Sequence, residues 1–397
     1  IALVHPSLNA VVQLAPDARA RAKQADEDLA QGITPGPLHG IPFTVKDTFA
    51  TAGLTSPLDA RLRGGRTPAI DATAVARLRH AGAILVAKTN CPPAGHGTDT
   101  ENAITGRTFN PYHLGHTPGG SSGGEAALVA AGVSPFGLGS DQSGGLRVPA
   151  HYCGVTTLKP TAGRVPNTGV YNQPGGLTDQ RSQVGLIARW VADLALLMPL
   201  IIGADYEDAG VIPMPWPDRR AGDLKRLAVA FFTDDPASPV SAETGRAVGA
   251  AAQALARAGA IVEPARPADL IEAARQINYH WQDLAGMPGR TVVEFYSLWD
   301  DFRPHLLRFM ARYDLLLCPV AGQPAPAVGE RDPRRFDYTV PFSLSGYPAA
   351  VVRVAASAAG LPIGVQLVAR PWREDAALAL AAVLEAEFGG GQRPRLL

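Results

Sequence analysis

Short apolar strands alternate with helices that glycine closes, and this alternation narrows most sharply the folds open to the chain. Ile41-Pro-Phe-Thr-Val45 reads as a strand running into Lys46-Asp47, residues 72–81 as a helix closed by Gly82, and 83–87 as the next strand. The unit returns as strand 227–232, helix 242–258 and strand 260–263, and again as strand 362–368 and helix 374–388. Such alternation builds a mixed, mostly parallel sheet sandwiched between helices, because each connecting helix must bury its apolar stripe on a sheet face. The expected fold class is α/β, in one domain over residues 1–397, with whatever precedes Ile1 left open. The Pro- and Gly-rich stretches 208–222 and 319–335 read as surface connections inside that domain, since the alternation resumes after each.

Composition removes several functional classes. Lys+Arg and Asp+Glu both number 36, so no net basic field draws in a nucleic acid or an anionic lipid surface. The most apolar run, 194–202, is too short to cross a bilayer and contains Pro199. Cys91, Cys153 and Cys318 are odd in number and far apart, which speaks against a disulfide framework and against a clustered metal site. A cytoplasmic protein without metal or cofactor is expected, acting on a small molecule.

The glycine-rich stretch Thr117-Pro-Gly-Gly-Ser-Ser-Gly-Gly-Glu-Ala-Ala-Leu128 sits at a helix start. Ser122 and Glu125 have the spacing of a capping box, and the helix predicted through 126–131 stops at Gly132. A phosphate-binding loop would need a Gly-Lys-[Ser/Thr] close, and no lysine is present. None of the nine histidines has a convincing Ser-His-Asp context; His80, His96, His113, His116 and His151 read as polar loop or surface residues. Any hydrolytic chemistry here calls for a lysine base.

Together with Gly139-Ser-Asp-Gln-Ser-Gly-Gly-Leu-Arg-Val-Pro149, that stretch resembles the core of the amidase signature family. Gly40-Ile-Pro-Phe-Thr-Val-Lys-Asp47, Ala87-Lys-Thr-Asn-Cys-Pro92, Gly106-Arg-Thr-Phe-Asn-Pro111, Gly154-x-x-x-x-Lys-Pro160, Gly185-x-x-Ala-Arg189 and Gly360-Leu-Pro-x-Gly-Val-Gln366 add to the resemblance. It implies an amidase-signature fold and cleavage of the C–N bond of a small carboxamide. It also implies a relay from a buried lysine, matched by Lys46, through a serine reached by a cis peptide, matched by Ser121, to a nucleophilic serine 24 positions later. That position is Gly145. The backbone N–H groups of Gln142, Ser143 and Gly144 are implied as the oxyanion hole, with Gly120 and Ser122 at the substrate. Residues 265–315 carry no landmark; family members differ most there, and the amide's side group usually binds there. A homodimer is carried as a further expectation.

The physics of the intact parts is coherent. A lysine is a base only when neutral, and burial favours that form. Alone, Lys46 reads equally as a strand-end lysine and Ser121-Ser122 as a helix cap; the ensemble carries the functional reading. Arg147 is expected to tie the loop down and Asp141 to accept backbone hydrogen bonds. Glycine offers no oxygen for an acyl-enzyme, so hydrolysis should be lost or severely impaired. Three explanations stay open: a substitution introduced to hold an amide intact, a natural non-hydrolytic amide-binding, scaffold or amidotransferase-like relative, or a nucleophile moved to Ser143.

Overall fold

A computed structural model describes residues 1–33, 36–56, 67–95, 97–170, 181–217, 226–282, 289–330 and 332–394. The strands are β1 (Val11–Leu14), β2 (Pro42–Lys46), β3 (Ile84–Thr89), β4 (Glu101–Asn102), β5 (Gly106–Arg107), β6 (Phe136–Asp141), β7 (Thr156–Lys159), β8 (Gln183–Ala188), β9 (Ala228–Phe231), β10 (Ile261–Pro264), β11 (Leu315–Pro319), β12 (Ala349–Ala356) and β13 (Pro362–Ala369). The helices are α1 (His5–Leu8), α2 (Ala18–Ala30), α3 (Thr73–His80), α4 (Gly123–Ala130), α5 (Arg147–Cys153), α6 (Val191–Ile201), α7 (Ala242–Arg257), α8 (Leu270–Gln282), α9 (Gly289–Met310), α10 (Val340–Leu344) and α11 (Glu374–Phe388). Every strand and helix read from the sequence is present, with ends moved by a residue or two.

Eleven strands form one mixed sheet in the order β1-β3-β2-β6-β8-β7-β12-β13-β11-β9-β10. Parallel pairing is confined to two blocks, β3-β2-β6 and β11-β9-β10, where helical crossovers join the strands. Between the blocks, β8, β7, β12 and β13 pair antiparallel, so the parallel share is smaller than the alternation alone suggests. Helices cover both faces. On β11, Leu315 and Leu317 join the core under α7 and α11, while Leu316 and Cys318 join the aromatic core under α8 and α9. This two-sided burial is why the strand is a continuous apolar run rather than an alternating one.

Two expectations change. The stretch 319–335 is not wholly a surface connection: Val320, Ala321, Ala325 and Arg335 are buried, because this segment packs against α5 and the backbone at 98–99. His151 is a fully buried residue of α5. Its Nδ1 accepts from the Gly364 N–H at 2.8 Å and its Nε2 bonds the Gln323 carbonyl at 3.1 Å; burial lowers its pKa to about 4, so it stays neutral. His80 and His113 are exposed and His116 half-buried, as read; His96 and residues 218–222 lie outside the described residues. No helix among the described residues is long and apolar enough to cross a membrane.

Candidate functional site

The parallel strands β2 and β6 pair with Val45 opposite Leu138, so Lys46 and Ser140 emerge together at their carboxyl ends. In open α/β sheets that edge is where ligands gather. Helix α4 starts above it, and the chain enters that helix through a cis peptide between Gly120 and Ser121. Lys46, fully buried, donates from Nζ to Ser121 Oγ at 2.7 Å and to Ser140 Oγ at 2.9 Å. Burial lowers its pKa to about 8, with Cys91, Asp141 and Glu125 nearby pulling the other way.

Glu125 holds the floor of the site. Its carboxylate accepts from Thr44 at 2.6 Å and from Thr89 at 2.8 Å, tying α4 to β2 and β3. Burial pushes its pKa up to about 8. The close approach requires glycine on β6: a Cβ at Gly137 would lie 1.8 Å from Glu125 Oε2. The predicted capping box therefore does not form. Ser122 occupies the N-cap position, but its hydroxyl faces the backbone of Ser140, at 3.3 and 3.4 Å, and makes no cap hydrogen bond. Both box residues are fully buried against strands, and those strands claim their polar atoms.

The loop after β6 is fixed by Asp141 and Arg147, as the sequence implied. Arg147 donates to the carboxylate from Nε at 3.0 Å and Nη2 at 2.9 Å, and Asp141 also accepts from the backbone N–H groups of Leu146 and Arg147. Burial raises the Asp141 pKa, but the Arg147 charge outweighs it and holds the carboxyl below its ordinary range. Arg147 also reaches the Thr339 carbonyl and Ser343, both at 2.8 Å, so the loop is anchored to α10.

A cleft of about 230 Å³ opens over this floor, lined by Ser121, Gln142, Ser143 and Gly145 together with Gly95, Gly97, Thr98, Asn278 and Phe336. The structure thus gathers Ser121, Gly145 and two of the three oxyanion-loop residues around one space, with Lys46 directly beneath. Gly120, Gly144 and Ser122 are buried and do not line the cleft. A Cβ at Gly145 would stand 2.9 Å from Ser121 Oγ and 2.6 Å from the Ser140 carbonyl oxygen. The loop has closed onto the position that a side chain would occupy.

Sequence reasoning missed Ser140, Thr98, Asn278 and Phe336. Ser140 had a signal, since it precedes Asp141 at the end of a strand parallel to that of Lys46. Asn278, on α8, had none: it reaches the cleft through tertiary packing, with its Oδ1 held by Arg181 at 2.9 Å. Among the described residues no cluster of His, Cys, Asp and Glu could hold a metal ion, and the three cysteines are buried and free.

The family model described as Amidase matches residues 1–291 and 294–378, including most of the segment where no landmark was legible. The amidase-type subunit of glutamyl-tRNA(Gln) amidotransferase from Roseiflexus sp. (strain RS-1) is 33% identical, over 95% of this chain and 89% of that protein. Its counterpart in Chloroflexus aurantiacus (strain ATCC 29366 / DSM 635 / J-10-fl) is 32% identical over 99% and 92%. Among solved structures, 6-aminohexanoate cyclic dimer hydrolase superposes with a TM-score of 0.86 at 29% identity, over 100% of this chain and 93% of that one. A bacterial aryl acylamidase superposes at 0.85 with 25% identity, over 97% and 90%. The chain belongs to the amidase signature family of C–N hydrolases.

Proposed function

We propose that this site binds a small carboxamide for C–N cleavage and that Gly145 leaves hydrolysis by the chain severely impaired. The observation that carries the reading is the Lys46–Ser121 contact of 2.7 Å, at the base of a cleft in which the missing side chain of Gly145 would point at Ser121 Oγ. In this reading neutral Lys46 is the base, Ser121 passes the proton, and the backbone N–H groups of Gln142, Ser143 and Gly144 receive the carbonyl oxygen. Gly120 and Ser122 serve by placing Ser121 rather than by touching the amide. The donors are main-chain groups, so binding does not depend on the side chain at 145.

Soaking crystals with butyramide tests this on the chain as it stands. The carbonyl oxygen is expected at the 142–144 N–H groups with the amide nitrogen toward Ser121; a ligand seated elsewhere contradicts the assignment. A second reading is favoured by the amidotransferase subunits that match 95% or more of the chain: this protein would handle an amide as one component of a larger assembly. Light scattering on the protein purified from its source would then give a mass above that of one chain or of a homodimer.

A further inference from the structure

We infer that Ser121 is itself a nucleophile in this chain, forming with Lys46 a Ser–Lys dyad that takes up an acyl or phosphonyl group where position 145 offers no hydroxyl. The inference rests on the amide-site reading above. Three observations carry it. Ser121 lines the cleft, so an electrophile bound there meets its hydroxyl. That hydroxyl is within 2.7 Å of Lys46 Nζ, whose second contact, to Ser140 at 2.9 Å, keeps the amine aimed. It also stands 2.9 Å from where a Cβ at 145 would be, so a carbonyl carbon seated against the vacated position lies within its reach.

The other serines each lack one of these conditions. Ser140 touches Lys46 but does not line the cleft. Ser143 lines the cleft, but both hydrogen bonds that Lys46 donates go elsewhere, to Ser121 and Ser140. Among the described residues, Ser121 alone joins access to a base. Burial, which brings Lys46 to about 8, supplies a neutral fraction of that base near neutral pH.

The chemistry closes on groups already present. As the Ser121 Oγ–C bond forms, the hydroxyl proton passes to Nζ and the carbonyl electron pair moves onto oxygen, facing the 142–144 N–H groups. Collapse breaks the bond to the leaving group, which takes the proton from the Lys46 ammonium and leaves an ester on Ser121. Water then attacks the ester and gives its proton to Lys46; as the C–O bond breaks, Ser121 recovers its own. A hydroxyl displaced from the usual point of attack is tolerated best by a good leaving group, so small aryl esters and activated anilides are the substrate class, ahead of alkyl amides.

The test is treatment of the unaltered chain with an alkyl fluorophosphonate, followed by intact-mass analysis and tandem mass spectrometry. The labelling reaction forms an Oγ–P bond, releases fluoride and passes the hydroxyl proton to Lys46. One adduct is expected, mapped to Ser121, at a rate that rises with pH through about 8. It should form about 100-fold more slowly in Lys46→Met and disappear in Ser121→Ala. An adduct on Ser143, or one that persists in Ser121→Ala, overturns the inference. If the unaltered chain stays unlabelled while Gly145→Ser is labelled, Ser121 is no nucleophile and the amide-site reading stands; if neither is labelled, that reading falls as well.

Discussion

The floor of the site and the α8–α9 wing both face the cleft, yet they are built on opposite terms. On the floor, Lys46, Glu125, Asp141 and Arg147 are all fully buried, and each is held by named partners. In the wing, Ile271, Ala274 and Ile277 of α8 and Phe295, Trp299, Phe302 and Leu306 of α9 form an apolar and aromatic cluster, and Asn278 is the residue it presents to the cleft. Buried charges tolerate almost no exchange of residue type, because removing one partner strands the other. An apolar cluster tolerates any filling of about the right volume. The difference teaches where chemistry is written into this fold and where only its tuning is.

The sharpest way to break the contrast is to remove the base. In the Gly145→Ser background, Lys46→Ala should lower amide turnover by about a thousand-fold or more, with an unchanged circular dichroism spectrum. Retained turnover would make the floor mere scaffolding. Stability should respond next. Arg147→Ala leaves Asp141 as an unpaired buried charge and should cost about 3–5 kcal/mol in chemical denaturation. Trp299→Ala in the wing, which also loses the 2.7 Å hydrogen bond from its indole to the Leu344 carbonyl, should cost a comparable 3–5 kcal/mol by cavity formation. The two would then differ in a third measurement: Arg147→Ala should also abolish amide binding, whereas Trp299→Ala should spare it.

Smaller effects sharpen the comparison. Asn278 gives its oxygen to Arg181, which leaves its N–H groups as donors beside the cleft. Asn278→Leu, again with Gly145→Ser, should shift kcat/KM by roughly 10-fold toward amides whose acyl group lacks an acceptor oxygen. The smallest expected change is in pH dependence. Activity of Gly145→Ser should rise through about pH 8, as Lys46 loses its proton. The Glu125 carboxylate favours the ammonium form, so Glu125→Gln should move that limb to lower pH. A limb that stays in place would remove Glu125 from the electrostatics of the site.

How much was legible follows from the same contrast. Lys46, Ser121, Gly145, Asp141 and Arg147 could be named from the sequence because burial, close approach and charge pairing restrict each to one or two residue types. The landmark around Lys88 has the same origin, for this buried lysine pairs with Asp47 at 3.3 Å and donates to the Phe49 carbonyl at 3.0 Å. The capping box was misjudged because the spacing of Ser122 and Glu125 is local, while their partners, on β2, β3 and β6, are not. Asn278 and Phe336 stayed silent because their place in the cleft is set by how α8 and the segment after β11 pack, and no local pattern records that. The antiparallel centre of the sheet was equally hidden, since strand–helix alternation does not fix the direction in which β8 returns beside β6.

The central claim, an amide-cleaving site that lacks only its nucleophile, is tested most directly by comparing hydrolysis of a panel of aryl and aliphatic carboxamides by this chain and by Gly145→Ser. Turnover of at least one amide should rise by several orders of magnitude. The rise should fall short of the roughly million-fold that loss of the nucleophile costs in a serine protease, because the new Cβ must first displace the Ser140 carbonyl from 2.6 Å. A Gly145→Ser protein that folds, yet turns over no amide faster than the unaltered chain, would contradict the account.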